Sequence, residues 1–325
     1  MTELMRRATL LRLAAMAAVT PFAAAVPPAW AGAGRAKADS EGRFVVFDAF
    51  PSKHVAARKV VVWLPPGYDT SDGRHAVLYM HDGQNLFDPA TSMANQPWAV
   101  DKHLIALQRA GKVRPTIVVG IWNTPDRARE YGPAAAVEAL APELRDVLLG
   151  TGRADTLSDQ YLRFIVEELK PFIDKTYRTR PGRDDTVVMG SSMGGLISLY
   201  ALASYPDVFG GAGCLSTHWP LTSNHALLGK PPGDPRVAKI AASYIDWLRT
   251  HLPAAGKHRL YFDYGTKNVD AFYAPYQEQV DKIVAAKSYR RDADWTTRFF
   301  PGTDHNEAAW RERLDIPLRF LLRPL

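Results

Sequence analysis

The chain has 325 residues, 46% of them hydrophobic and 23% charged, which suits one sizeable α/β domain or two small ones and excludes disorder. Its formal net charge of +6 at pH 7 is mild, and lysines and arginines alternate with acids along most of the chain, so there is no nucleic-acid footprint. Cys214 is the single cysteine, which leaves no intramolecular disulfide and no thiolate metal cluster.

The chain opens on a targeting pattern. Arg6, Arg7 and Arg12 precede an alanine-rich apolar run that ends in Ala29-Trp30-Ala31, the arrangement of a signal peptide and its small-residue cleavage site. Residues 1–31 are assigned to it; a second cut after Ala25 fits the same logic, and the Arg6-Arg7 pair raises twin-arginine export beside general secretion. Arg12 and Pro21 shorten the apolar stretch well below a bilayer span. A periplasmic or secreted protein is expected, with no stable membrane insertion after cleavage. Losing three arginines and one glutamate takes the net charge from +6 to +4.

Residues 32–42 are small and polar and read as a flexible lead-in, and the folded domain is placed at 43–325. Phe44 to Phe47, Lys59 to Leu64, Ala76 to Met80 and Thr116 to Ile121 read as strands rich in valine and aromatics, the first two as an antiparallel hairpin. The stretch from Thr124 to Asp155 is rich in alanine, glycine, proline and charge and reads as an insertion over one end of a sheet. Leu162, Ile165, Val166, Leu169 and Ile173 recur at helical spacing and predict a helix over Ser158 to Tyr177, with a bend at Pro171. Strands at Thr186 to Met189, Gly211 to Leu215, Leu260 to Tyr264 and Thr296 to Phe300 then alternate with helices through Tyr200, over Val237 to Leu252, over Tyr276 to Ala286, and to a last one ending near Leu322. Such alternation gives an α/β fold with a mostly parallel sheet covered on both faces.

The sharpest chemical signal is Val187-Val188-Met189-Gly190-Ser191-Ser192-Met193-Gly194-Gly195-Leu196, a β-run entering Gly-x-Ser-x-Gly and leaving into an apolar helix. That is the context of a nucleophile elbow, in which flanking glycines admit a sharp strand-to-helix turn that exposes the serine. A serine hydroxyl needs a base, and in this fold the chain order is serine, acid, histidine. His305 fits as base because Pro301 to Glu307 forms the loop after the last strand. His218 reads as pocket lining, and His225, His251 and His258 as surface residues. The acid belongs after the strand ending at Tyr264: Asp270 fits best, with Asp263, inside the strand, as its rival. An oxyanion hole needs two backbone N–H groups. Met193 supplies one, and the loop His81-Asp82-Gly83-Gln84-Asn85 supplies the other, for which Gln84 is chosen; His81 and Asp82 read as a pair bracing that loop, since no ligand spacing for a metal is present.

Leu64-Pro65-Pro66-Gly67-Tyr68, His81 to Asp88, Gly190 to Gly195 and Asp304-His305-Asn306-Glu307 together resemble the esterase family that contains enterochelin esterases, feruloyl esterases and related mycolyltransferases. The likeness spans residues 43 to 322. It implies an α/β-hydrolase fold and serine hydrolysis of carboxylic esters, with no metal or cofactor and a small-molecule or carbohydrate ester as partner. Asn123 to Pro133 is similar to the family's segment near the substrate, which implies substrate contacts for Arg127, Glu130 and Tyr131. Many relatives carry an acid close after the Gly-Thr of the seventh strand, whereas Lys267 stands there in this chain. Trp98, Trp122, Tyr131 and Trp219 are candidate pocket aromatics. An acyltransferase with the same acyl-enzyme, and a non-catalytic carbohydrate- or ligand-binding relative, are the alternatives left by the sequence.

Overall fold

Parallel β-strands buried on both faces must be apolar along their whole length, and the strand at Ala76–Met80 shows what that produces: all five residues are buried. Val77 and Tyr79 enter one hydrophobic cluster, and Ala76, Leu78 and Met80 enter another across the sheet. Val77, Leu78 and Met80 each contribute roughly 1.5–3 kcal/mol on burial. The computed structural model describes residues 41–149, 155–222 and 234–324; the expected signal peptide and nearly all of the lead-in lie outside them. The end of the lead-in is held: the Trp63 indole N–H donates to the Glu41 carbonyl at 3.1 Å.

The strands are β1 (Arg43–Phe50), β2 (Arg58–Leu64), β3 (Ala76–Met80), β4 (Thr116–Ile121), β5 (Thr186–Ser191), β6 (Gly211–Leu215), β7 (Arg259–Tyr264) and β8 (Trp295–Phe299). They form one sheet in the order β1-β2-β4-β3-β5-β6-β7-β8. β1 runs antiparallel to β2, and β2 to β4; every later pairing is parallel. Cys214 lies fully buried in β6.

The helices are α1 (Val100–Arg109), α2 (Arg127–Tyr131), α3 (Ala134–Glu138), α4 (Pro142–Leu149), α5 (Ser158–Arg163), α6 (Lys170–Thr176), α7 (Met193–Ser204), α8 (Pro235–His251), α9 (Ala274–Ala286), α10 (Glu307–Arg313) and α11 (Asp315–Leu321). α7 is buried from Met193 to Ala203, as a helix apolar all round must be. Two differences from the sequence reading have local causes. The helix expected over 158–177 is interrupted by a π-helical stretch, Phe164–Leu169, just before Pro171, whose ring crowds the preceding turn and which has no N–H to give. The last helix is split into α10 and α11, because Pro317 has no N–H to offer the Arg313 carbonyl. The insertion forms three short helices, and α1 has no counterpart among the expected elements.

Candidate active site

Ser192 occupies the single residue between β5 and α7, at φ 57° and ψ −122°, a left-handed backbone setting that costs a non-glycine residue about 1–3 kcal/mol and is held only by its surroundings. Those surroundings leave no room for side chains. A Cβ on Gly190 would lie 2.9 Å from the Gly194 Cα, and one on Gly195 would lie 2.8 Å from the Thr217 Oγ1. The Ser192 N–H is tied to the Leu215 carbonyl of β6 at 2.9 Å.

Asp270 and His305 arrive from the loops after β7 and β8. His305 Nδ1–H donates to Asp270 Oδ1 at 2.6 Å, which leaves Nε2 as the ring's basic atom. Asp270 sits inside the 3₁₀ turn Asn268–Phe272 and is almost fully buried. Burial alone pushes its carboxyl up, but hydrogen bonds from His305, Ser216 and the Gly265 N–H outweigh it and hold the group below the usual carboxylate range. Two aromatic rings pack edge to face against His305, Tyr273 at 5.9 Å and Trp310 at 5.0 Å between centroids. The Tyr273 hydroxyl bonds His218 Nδ1 at 2.7 Å and also reaches the Ser192 side chain. Serine, histidine and aspartate therefore converge around Tyr273, at the C-terminal ends of β5, β7 and β8.

Asp263, the rival acid, points elsewhere. It is fully buried and receives Arg313 through Nη2 at 2.9 Å and Nε at 3.1 Å.

The loop after β3 abuts the start of α7: a Cβ on Gly194 would lie 3.5 Å from the His81 Cβ. Asp82 turns the chain at φ 54°. Among the described residues, neither the Met193 N–H nor the Gln84 N–H, the two expected oxyanion donors, meets a protein acceptor.

Behind this loop stands a buried ionic layer. Arg127 grips Asp82 with two bonds of 2.7 Å and lies over the Tyr131 ring at 4.9 Å. The Tyr131 hydroxyl accepts the Asp82 N–H at 3.2 Å, and Glu130 is paired with Arg58 at 2.6 and 2.8 Å. Glu130 and Tyr131, expected as substrate contacts, are both buried; Tyr131 braces the loop through Asp82, while Arg127 keeps a side chain 30% exposed. His218 and Trp219, expected as pocket lining, are buried as well, and the His218 N–H donates to the Ser192 carbonyl at 3.1 Å. His218 Nε2–H donates to the Thr222 carbonyl at 2.8 Å, and the Trp219 indole donates to Gln277 Oε1 at 3.2 Å. His258, expected at the surface, is buried and bonds the Pro206 carbonyl; His225 lies outside the described residues.

His81 carries a test of this layer. Its ring is buried, with Nδ1 bonded to the Tyr161 hydroxyl at 2.8 Å, and burial holds its pKa down to about 3. The unfolded chain takes this proton near its ordinary pKa of about 6.5, so from there down to about 3 the unfolded state binds more protons and acid destabilises the fold, by up to about 1.4 kcal/mol per pH unit. We expect His81→Asn to flatten the decline in urea midpoint between about pH 6.5 and about pH 4.5. An unchanged slope would assign the acid sensitivity to other groups.

A strand-turn-helix serine beneath a histidine-carboxylate pair, on a sheet of this order, defines an α/β-hydrolase. The chain belongs to the family described as "Putative esterase", whose model matches residues 56–321. Two curated relatives are similar: the uncharacterized protein YbbA of Bacillus subtilis, 28% identical over 170 residues, 52% of this chain and 60% of that one; and the endo-1,4-beta-xylanase/feruloyl esterase of Xylanibacter ruminicola, 25% identical over 182 residues, 55% of this chain and 21% of that one. The chain thus matches three fifths or less of the length of these relatives. Among solved structures, a ferulic acid esterase matches with a TM-score of 0.58 at 17% identity, covering 87% of this chain and 99% of its own. The enterobactin esterase FES of Shigella flexneri matches at 0.57 and 19%, covering 86% and 58%. At these identities the structural likeness establishes the shared fold.

Proposed function

We propose that the chain is an exported serine hydrolase that cleaves carboxylic esters through an acyl-enzyme on Ser192, its substrates being acylated sugars or polysaccharides, feruloyl-type esters or siderophore esters. His305 Nε2 takes the Ser192 proton as Oγ attacks the ester carbonyl, and the Met193 and Gln84 N–H groups receive the negative oxygen. Protonated His305 then hands its proton to the leaving alkoxide. Water, deprotonated by the same nitrogen, attacks the acyl-enzyme and frees the acid and Ser192. Asp270 keeps the ring in the tautomer with Nδ1 protonated and offsets the charge of the imidazolium.

The observation that carries this reading is Ser192, forced into the left-handed region at a helix start, with the His305–Asp270 pair at 2.6 Å gathered about the same tyrosine. The ester specificities named for the related proteins support the substrate class. The test is exposure of the purified protein to a fluorophosphonate, with mass spectrometry to locate the adduct, beside hydrolysis of p-nitrophenyl acetate and methyl ferulate. Labelling confined to Ser192 with loss of ester cleavage is the expected result. Cleavage that survives full labelling of Ser192 would overturn the reading.

A further inference from the structure

Ser216 follows β6 directly and is fully buried. Its N–H is held by Asp263 twice, by the carbonyl and by Oδ1, each at 3.0 Å. Its hydroxyl oxygen receives the Trp310 indole N–H at 3.0 Å and the Arg313 Nη2–H at 2.9 Å. A serine hydroxyl has two lone pairs and one hydrogen. With both lone pairs taken by N–H donors, the hydrogen is directed to the remaining partner, Asp270 Oδ2, at 2.7 Å.

We infer that Ser216 is a positioning residue for the acid of the proposed triad: it clamps Asp270 Oδ2 so that Oδ1 stays aimed at His305 Nδ1. The inference rests on the serine-hydrolase reading of the site. The clamp is itself anchored. Arg313 is fixed by its two bonds to Asp263, and Asp263 Oδ2 also accepts the Tyr261 hydroxyl at 3.0 Å. Asp263 is therefore the foot of the assembly whose upper end is Asp270, and neither carboxylate substitutes for the other. Trp310 closes the arrangement from the side, since the ring that donates to Ser216 also packs edge to face against His305. Losing the Ser216 hydroxyl leaves the Gly265 N–H, at 2.6 Å, as the donor to Oδ2, and a carboxylate held by one bond on that side turns more freely about its Cβ–Cγ bond.

The experiment compares Ser216→Ala and Ser216→Cys with the wild type. Three readouts are taken: kcat and KM on p-nitrophenyl acetate, the melting temperature, and the downfield proton resonance of the His305 Nδ1–H in the substrate-free protein. We expect Ser216→Ala to lower kcat by about 10- to 100-fold with KM little changed, as the loss of one charge-assisted hydrogen bond predicts, and to shift or broaden the Nδ1–H resonance. A thiol fills the same space but donates weakly, so Ser216→Cys restores the melting temperature more than kcat. If the alanine variant does not fold, the cysteine variant is read on the same measures. A wild-type kcat and resonance in Ser216→Ala, or full recovery of kcat in Ser216→Cys, would overturn the inference. Failure of the hydrolase reading is separate: it appears as undiminished ester cleavage in Ser192→Ala, while the substrate-free resonance still reports on the link from Ser216 to His305.

Discussion

Ser192→Ala is expected to lower kcat for ester hydrolysis by about 10⁶-fold, the size of loss found when the nucleophile of a serine hydrolase is removed. The fold should be untouched: alanine meets the same left-handed backbone penalty as serine at φ 57°, and the Ser192 N–H still donates to Leu215. A residual rate of about 10³ over water is expected from the two free N–H groups and from substrate binding. Initial rates on p-nitrophenyl acetate at saturating ester, with circular dichroism to confirm the fold, measure both parts. Activity within tenfold of the wild type would remove Ser192 from the chemistry and leave the acyl-enzyme without a carrier.

Asp270→Asn is expected to cost about 10⁴-fold in kcat. An asparagine amide turned to satisfy its other neighbours offers N–H, not oxygen, to His305 Nδ1. The ring then carries its proton on Nε2 and cannot accept one from Ser192. Asp263→Asn is expected to behave in the opposite way. Arg313 is 4% exposed, and removing the charge opposite a buried guanidinium costs about 3–5 kcal/mol, so the melting temperature drops while kcat per folded molecule falls far less. Kinetics and thermal unfolding of both variants, run side by side, check this. Equal losses of kcat would mean that the acid of the site is not Asp270 alone.

Several features were legible in the chain because each left a local pattern. Strands β3 and β4 coincide with the expected runs because a strand buried on both faces has to be apolar from end to end, and the glycines about Ser192 mark a turn that tolerates no Cβ. Pairings between distant segments leave no such trace. Nothing near Glu130 announces that Arg58, 72 residues away, neutralises it, and the substrate contact expected there rested on the segment's resemblance to the family alone. Tyr273 carries no periodic or motif signal at all. Arg313 did leave one: with Ala309 and Trp310 it shares the buried side of α10, and a charged residue in register with a core stripe calls for a buried partner. Ser216 had a weaker one, its place immediately after a parallel strand, on the edge of the sheet where loops from neighbouring strands meet. α1 was readable from Val100, Leu104 and Leu107, which share one face, but ten residues make a short period.

The buried position of Cys214 has a consequence beyond packing. Its thiol lies inside the sheet with no exposed surface, and burial pushes its pKa well above the ordinary range, so in the folded protein it is neither nucleophilic nor open to oxidants. Once folded, the domain therefore keeps the same free thiol whether it stands among reducing thiols or among disulfide-forming enzymes.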